Sequence, residues 1–455
     1  MLPAWLQYRL NQSHPTTLLL LSYLVAILAG TLLLMLPPAT VSGDIRLIDA
    51  LFTATSAVCV TGLIVVDTGS FFTPFGQGVI LFLIQIGGLG IMTISVALFQ
   101  IIGKKVVFQQ RMAMQEVFSH TPREDIFFLL RSVLIFTLSI ETAGAVILFI
   151  HWHGTLPFTH ALYKAVFHSV SAFCNAGFSL FSDSLMSGQT SLILNGTIGG
   201  LIVLGGLGFP VVYEIFSRIF MGQSGKISIQ TKSVILATIG LTLAGMLVIL
   251  VSERTLIPSM GWKNGILASA FQSITCRTAG FNTLDIASLN TATLLFMMFL
   301  MLIGASPGSC GGGIKTTTFA VLATYSWSRL MRRRCVNLFS KTLPDDTVSK
   351  SIFILLFSMS IICLAVFIIL FIDPDHGMRI QGNRQFLSFL FETVSAFGTV
   401  GLSMGVTPVL TLPGKLVIIA LMIIGRVGVP AITYIIVGGP PKKGLQFAEE
   451  NLMIG

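Results

Sequence analysis

Charge is scarce in this chain. Of 455 residues, 10% are Asp, Glu, Lys or Arg, where a soluble domain carries about 25%. That shortage excludes a solvated globular protein. Cysteine is scarce too: six residues, with no C-x-x-C pair, so the common zinc and dithiol motifs are missing. Cys59, Cys174 and Cys276 recur at comparable places along the chain. Small polarisable residues pack readily beside a narrow passage, so these three are read as packing residues rather than a metal site, and no disulfide is expected. Acidic residues number 18 against 27 basic ones, a net charge of +9. In a soluble chain this would suggest nucleic acid; here it is assigned to positive-inside loops, with no nucleic-acid partner. No signal peptide is evident. The first apolar run, Thr17 to Leu36, is long enough to span and has no small-residue cleavage site after it.

What is present is apolar sequence: 54% hydrophobic residues and a mean hydropathy of +0.89. The expected class is an all-α polytopic membrane protein. Eight runs reach the roughly 20 residues that a bilayer requires: 16–37, 74–102, 125–151, 192–221, 229–252, 291–327, 350–372 and 413–438. Between the members of each pair lies a shorter apolar stretch that reads as re-entrant.

The short stretches end alike: "FTATSAVCVTGL" at Leu63, "FHSVSAFCNAGF" at Phe178, "FQSITCRTAGF" at Phe281 and "FETVSAFGTVGL" at Leu402. Each has an aromatic start, Ser or Thr, small residues, one glycine, then Phe or Leu. The glycines, Gly62, Gly177, Gly280 and Gly401, are 115, 103 and 121 residues apart. A second echo follows each: "QIGGLGIM" at 85–92, "VLGGLGFP" at 203–210, "LIGASPG" at 302–308 and "IIGRVGVP" at 423–430. Two coincident landmarks make a fourfold internal repeat, each unit a helix, a half-helix with its loop, and a second helix. With the N-terminus inside, loops 1–15, 103–124, 218–232 and 329–350 and the tail face the cytoplasm. They hold 16 of the 27 Lys and Arg residues, as the positive-inside rule expects.

Irregular backbone at membrane depth survives only when buried in protein or lining water. Four loops must therefore share an axis. The half-helix C-termini would bring partial negative charge towards it, which favours a cation, and carbonyl rings that replace a hydration shell are how potassium filters select. The candidate ion-binding residues are Val60, Thr61 and Gly62; Asn175, Ala176 and Gly177; Thr278, Ala279 and Gly280; and Thr399, Val400 and Gly401. One glycine per loop supplies backbone angles that other residues avoid.

The chain resembles the Trk/Ktr/HKT superfamily of potassium transporters over essentially its whole length, most closely the Ktr branch. "RTAGFNTLD" at 277–285 and "GGGIKTTTFAV" at 311–321 are the most specific segments. The resemblance implies four M1–P–M2 repeats arranged pseudo-fourfold around one central pore. They would be 1–103 (filter loop 57–63), 104–222 (172–178), 223–340 (275–281) and 341–438 (396–402), with a cytoplasmic tail at 439–455. It also implies potassium as the transported ion, sodium as activator or co-ion, and a homodimer. A cytoplasmic nucleotide-binding ring of the RCK type (KtrA in Ktr systems) would be its partner, and a bacterial cytoplasmic membrane its location.

In three repeats the second spanning helix is expected to run on past its glycine motif. In the third, "GASPGSCGGGIKTTTF" interrupts it. By resemblance this is an intramembrane gating loop, 304–318. Its candidate residues are Gly304, Ser306, Pro307, Gly308, Gly311, Gly312, Gly313, Lys315 and Thr316, faced by Arg426 from the fourth repeat. An arginine inside a membrane is costly and marks function by default. Gly308 and Gly313 have phosphate-loop spacing, but Ile314 separates the second glycine from Lys315 and no strand precedes. Nucleotide binding by this loop, and any organic cofactor, are therefore not expected.

Other polar residues carry weaker signals. Arg277 is expected to tie down the carbonyls of its own half-helix, and Arg131 to snorkel to the inner interface. Glu141 reads as a packed or outer-leaflet acid before a coupling site. Glu392 reads as a brace for its loop. "RLMRRR" at 329–334 reads as positive-inside anchoring, in contact with membrane lipid or a cytosolic partner. His151, His153, His160 and His168 read as interfacial residues. An enzyme would need a nucleophile with its base or paired carboxylates, and none clusters. The alternatives kept are a Trk-type transporter without sodium dependence and a non-transporting assembly subunit.

Overall fold

A computed structural model describes residues 15–90, 126–220, 226–254, 257, 260–373 and 383–437. The loop 103–124, the tail 439–455 and the inner end of the run 74–102 lie outside the described residues. The described chain is mostly helical. Its paired strands are the two-residue hairpin Asn337–Leu338 with Lys341–Thr342.

In chain order the helices fall into four groups. The first holds α1 (Pro15–Leu34), α2 (Leu47–Val58) and α3 (Pro74–Leu89). The second holds α4 (Ile126–His153), α5 (Phe158–Phe173), α6 (Leu192–Leu207) and α7 (Phe209–Phe220). The third holds α8 (Ile229–Ser252), α9 (Trp262–Thr275), α10 (Thr291–Leu302) and α11 (Thr316–Leu330). The fourth holds α12 (Asp345–Ile372), α13 (Asn383–Gly398), α14 (Leu412–Val427) and α15 (Val429–Val437).

Arg131–His153, Ile229–Ser252 and Asp345–Ile372 are each long and apolar enough to cross a membrane. The chain is a multi-pass membrane protein. Helices α2, α5, α9 and α13 have 12, 16, 14 and 16 residues. At 1.5 Å per residue they rise roughly 18–24 Å, short of the roughly 30 Å of a hydrocarbon core. Each is too short to span that core by itself.

The expectation of continuous second helices is wrong. Leu192–Leu207 and Phe209–Ile219 are bent by 100° about Gly208, whose φ is +84°. Helix α14 likewise breaks from α15 at Gly428, φ +92°, and α3 ends at Gly90, φ +83°. A left-handed residue cannot continue a right-handed helix, and glycine takes that conformation at no steric cost. Pro210 and Pro430 then fit the first turn of the following helix, where a missing N–H costs nothing. The third group differs in degree: a whole loop, rather than one residue, separates α10 from α11.

Packing joins the groups in series. Helix α3 lies on α5, α6 on α9, α10 on α13, and α14 returns to α2. The aromatic that starts each repeated motif anchors its half-helix: Phe52, Phe167, Phe271 and Phe391 are all fully buried. Each gains roughly 1.5–3 kcal/mol relative to exposure to water.

Candidate functional site

At the C-terminus of each half-helix the backbone turns left-handed twice, with one residue between. The pairs are Val60 (φ +55°) and Gly62 (+86°), Asn175 (+58°) and Gly177 (+69°), Thr278 (+71°) and Gly280 (+80°), and Thr399 (+50°) and Gly401 (+93°). Val60, Thr278 and Thr399 are β-branched, for which positive φ is strained. Such strain persists only where the surroundings impose it, and it concentrates at functional sites.

The Ser or Thr of each motif imposes it. The Ser56 carbonyl accepts from Thr61 N–H at 2.8 Å, that of Ser171 from Ala176 N–H at 2.7 Å and that of Ser395 from Val400 N–H at 2.9 Å. In the loop that is one residue shorter, Thr275 accepts from Ala279 N–H at 3.0 Å. The Ser56 and Ser395 hydroxyls also accept from Gly62 and Gly401 N–H, each at 3.1 Å. The chain is thereby folded back onto the last half-helix turn.

The four loops form a closed ring. A side chain on Gly62 would strike the carbonyl of Ala176, one on Gly177 that of Ala279, one on Gly280 that of Val400, and one on Gly401 that of Thr61. Each glycine thus stands against the residue before the next glycine, and the last meets the first. The side-chain oxygens near the ring are mostly engaged: Asn175 and Thr278 are hydrogen-bonded at 3.3 Å, and Thr399 Oγ1 accepts from Gly312 N–H at 2.9 Å. Thr61 Oγ1 is buried and has no partner among the described residues.

The interrupting loop crosses directly beside the ring. Added side chains on Gly311 and Gly312 would strike Thr278 and Thr399 respectively. The loop opens and closes on a bridge between Ile303 and Ile314, with Gly304 N–H donating to the Ile314 carbonyl at 2.8 Å. Its backbone is then tied to two other groups. Ser306 N–H donates to the Gly206 carbonyl at 3.1 Å, Cys310 N–H to Gly205 at 3.3 Å and Gly313 N–H to Gly425 at 3.3 Å. The Gly308 carbonyl accepts from Phe209 N–H at 3.1 Å. Inside the loop, Lys315 Nζ donates to the Gly311 carbonyl at 2.7 Å, and the Ser306 and Thr316 hydroxyls are 3.1 Å apart. Arg426 donates to the carbonyls of Cys310 and Gly87 and, at 3.3 Å, to the Tyr23 hydroxyl. One guanidinium therefore joins the loop to the first group. A cavity of about 340 Å³ adjoins the loop, lined in part by Tyr23, Phe209, Cys310, Lys315 and Arg426.

The structure thus sets the interrupting loop, held by Arg426, against Thr278 and Thr399 of the ring. It adds the carbonyls of Gly87, Gly205, Gly206 and Gly425. These lie in the second glycine motif of three groups; the sequence marked the motif as a repeat, without its role as the seat of the loop. The missing side chains let two elements approach: one on Gly87 would strike the Val58 carbonyl at the end of α2 and one on Gly205 that of Phe173 at the end of α5, while one on Gly208 would strike the loop's Pro307 carbonyl.

Two weaker readings need correction. Arg277 does not hold its own half-helix; it donates to the Thr238 carbonyl at 3.4 Å and hydroxyl at 3.3 Å on α8. His168 is not interfacial. It is fully buried, bonded to the Lys164 carbonyl at 2.8 Å and the Ser179 hydroxyl at 3.0 Å, and ringed by Trp152, Phe167, Phe181 and Phe281. Its Ser179 partner comes from the loop beyond Gly177, which irregular histidine spacing could not reveal. Glu392 is a brace, accepting from Ser403 Oγ at 2.9 Å and from Thr407 Oγ1. Glu141 is packed, accepting from Gln85 at 3.2 Å. Arg131 and the arginines of 329–334 are exposed. Among the described residues no group of His, Cys, Asp or Glu is arranged to hold a metal, and all six cysteines are free.

Residues 3–438 match the family model described as "TrkH: Cation transport protein". The chain is 38% identical to the "Ktr system potassium uptake protein B" of Vibrio alginolyticus, over 96% of this chain and 94% of the relative. It is 39% identical to the protein of the same description in Bacillus subtilis, over 91% of each. It is 35% identical to the "Potassium/sodium uptake protein NtpJ" of Enterococcus hirae, over 97% of each. In fold it is similar to the crystal structure of the potassium transporter TrkH from Vibrio parahaemolyticus, with a TM-score of 0.71 at 20% identity, covering 93% of this chain and 84% of that one. The chain belongs to the TrkH family of cation transport proteins.

Proposed function

We propose that this chain takes up potassium across a bacterial cytoplasmic membrane through a gated pore. The observation that carries the reading is the closed ring of four loops, each with two left-handed residues and one glycine set against the next loop's carbonyl. In this reading the four helix groups are M1–P–M2 repeats around one pseudo-fourfold axis, with boundaries at 1–103, 104–222, 223–340 and 341–438. Val60–Gly62, Asn175–Gly177, Thr278–Gly280 and Thr399–Gly401 form the filter. Their carbonyls replace part of the ion's hydration shell, and the half-helix C-termini add partial negative charge.

The loop 304–318 is the gate. It lies beside Thr278 and Thr399 and is held by Arg426, whose positive charge also opposes a cation at that level. Lys315 adds a second cation. Release of the loop from Gly205, Gly206, Gly425 and Arg426 opens the path. Transport is passive conduction: a membrane potential supplies about 2.3 kcal/mol per charge per 100 mV, or roughly a fifty-fold gradient.

The relatives named for Ktr potassium uptake and for potassium/sodium uptake favour sodium as activator or co-ion and a cytoplasmic RCK-type ring as regulator. Both termini then lie in the cytoplasm, and two copies form the homodimer. The test is rubidium influx into cells lacking their own potassium uptake, expressing this chain with its ring partner, with and without external sodium. Saturable influx that rises with sodium is expected. No influx, with protein present in the membrane and the partner bound, would overturn the transport reading in favour of an assembly role. Influx indifferent to sodium would remove the co-ion alone.

A further inference from the structure

Three of the four ring contacts join loops that follow one another along the chain. The fourth, Gly401 against Thr61, joins the last group to the first with no covalent link between them. At the outer end of this seam lies a buried ion pair, Lys415 Nζ to Asp49 Oδ1 at 2.8 Å, each side chain 4% exposed. Asp49 sits in the first turn of α2, which leads into Val60–Gly62, and Lys415 in the first turn of α14.

The equivalent position differs in the other groups. Lys415 is the fourth residue after its N-cap Thr411; the counterparts are Gln77 after Thr73, Asn195 after Ser191 and Leu294 after Asn290. Gln77 meets the next half-helix through the neutral Tyr163 hydroxyl at 3.0 Å. Asn195 turns back to its own loop, bonding the carbonyls of Gly188, Gln189 and Ser191. Leu294 has no polar group. Among the described residues, only the seam without a covalent link carries a charge pair there.

An open crevice of about 780 Å³ wedges between α2 and α14, walled by Leu47, Ile48, Leu51, Leu412 and Leu416. Lys415 lies at its edge, and Arg46 holds Asp49 from the other side at 2.7 Å. The pair bridges the two helices beside this open surface.

We infer that Asp49 and Lys415 are positioning residues that clasp the last repeat to the first and thereby set the filter's ion discrimination. The inference rests on the filter reading above. Neither residue touches the ion; both fix where the Thr61 carbonyl stands against Gly401. Replacing Asp49 leaves Lys415 buried without its counter-charge, and replacing Lys415 leaves Asp49 to the exposed Arg46 alone; either change breaks the link across the seam.

The test measures rubidium and sodium influx, normalised to protein in the membrane, in the full chain expressed as above. The variants are Asp49→Asn, Lys415→Met, Lys415→Arg and the double Asp49→Asn/Lys415→Gln. In the single neutral variants, rubidium-over-sodium discrimination should fall about tenfold and half-saturating rubidium rise by a similar factor, because the clasp holds one side of the ring. Maximal influx should hold. Lys415→Arg should keep wild-type discrimination. The double variant leaves no buried charge unpaired, Arg46 being 75% exposed, and is the reading wherever a single variant fails to reach the membrane; reduced discrimination is expected there too. Wild-type discrimination in the single neutral variants, or in the double variant, would overturn the clasp, as would lowered protein or maximal influx with discrimination intact. Absence of saturable influx in the wild type would overturn the filter reading and the clasp with it.

Discussion

Arg426 and Cys310 are joined through the guanidinium and the loop carbonyl, and the same guanidinium reaches the Gly87 carbonyl. A single side chain therefore spans from the fourth helix group, across the interrupting loop, to the first. The loop has few apolar side chains with which to pack. Its place is set by backbone hydrogen bonds to Gly205, Gly206 and Gly425 and by this arginine.

Replacing Arg426 with Gln should therefore favour the open loop. Hydrogen bonds from a charged donor contribute about 1.5–3 kcal/mol each. Losing even one shifts a two-state loop by roughly tenfold or more. Rubidium influx at low partner activation should rise by about that factor, with the half-saturating concentration little changed because Arg426 bonds Tyr23, Cys310 and Gly87 rather than a ring residue. Unchanged basal influx would count against the loop as a gate.

Gly280→Ser should do the opposite. Gly280 has φ +80°, and any Cβ there strikes the Val400 carbonyl. The residue must move, and the ring with it. Influx should fall to the level of cells without the protein while membrane abundance stays within about twofold, because the position lies outside every helix. Retained selective influx would show that this glycine is not part of a filter. It would also favour the assembly-subunit reading.

Glu392→Ala should loosen the fourth loop. The carboxylate accepts from Ser403 and Thr407, so its loss leaves the buried Thr407 hydroxyl with only the half-buried Ser403 hydroxyl, 3.3 Å away, as partner. Losing a buried acceptor costs about 1–3 kcal/mol. A lowered unfolding temperature in detergent and weaker discrimination between rubidium and sodium are expected together. Glu392→Gln keeps an acceptor and should lose less of both.

His168→Ala should destabilise and loosen the second loop, as Glu392→Ala loosens the fourth: each residue follows its motif's phenylalanine and bonds the serine two residues beyond its loop's glycine. The imidazole ties α5 to the loop beyond Gly177 through the Ser179 hydroxyl and the Leu180 amide. A drop of about 2–4 kcal/mol is expected from a lost buried ring and its hydrogen bonds. Thermal unfolding of the purified protein reads it. Weaker discrimination between rubidium and sodium should accompany the drop, and unchanged discrimination would show that the return loop does not hold its part of the ring.

The ring residues were legible in the sequence because they repeat. A fourfold glycine with Phe ten or nine residues before it is visible without knowing any fold. The stretch around Gly308 was legible because glycine and proline break an apolar run that is otherwise continuous. The breaks at Gly208 and Gly428 were missed. Hydropathy through "GGLGFPVV" stays high, and a spanning run is judged by composition, whereas the bend is a matter of φ at one residue. The Gly-x-Pro spacing was the available signal. Arg277 and His168 were misplaced for another reason. Their partners, Thr238 and Ser179, come from a neighbouring helix and a return loop, and single-residue chemistry does not choose between partners. The clasp between Asp49 and Lys415 is separated by most of the chain and has no motif.

The central claim is that the four loops bind the transported cation on their shared axis. It is tested most directly by an anomalous difference map from crystals of the protein grown in rubidium. The expected result is a peak enclosed by the backbone carbonyls of Val60–Gly62, Asn175–Gly177, Thr278–Gly280 and Thr399–Gly401. It should weaken when sodium replaces most of the rubidium. Rubidium bound elsewhere in the protein, with no density within the ring, would contradict the account.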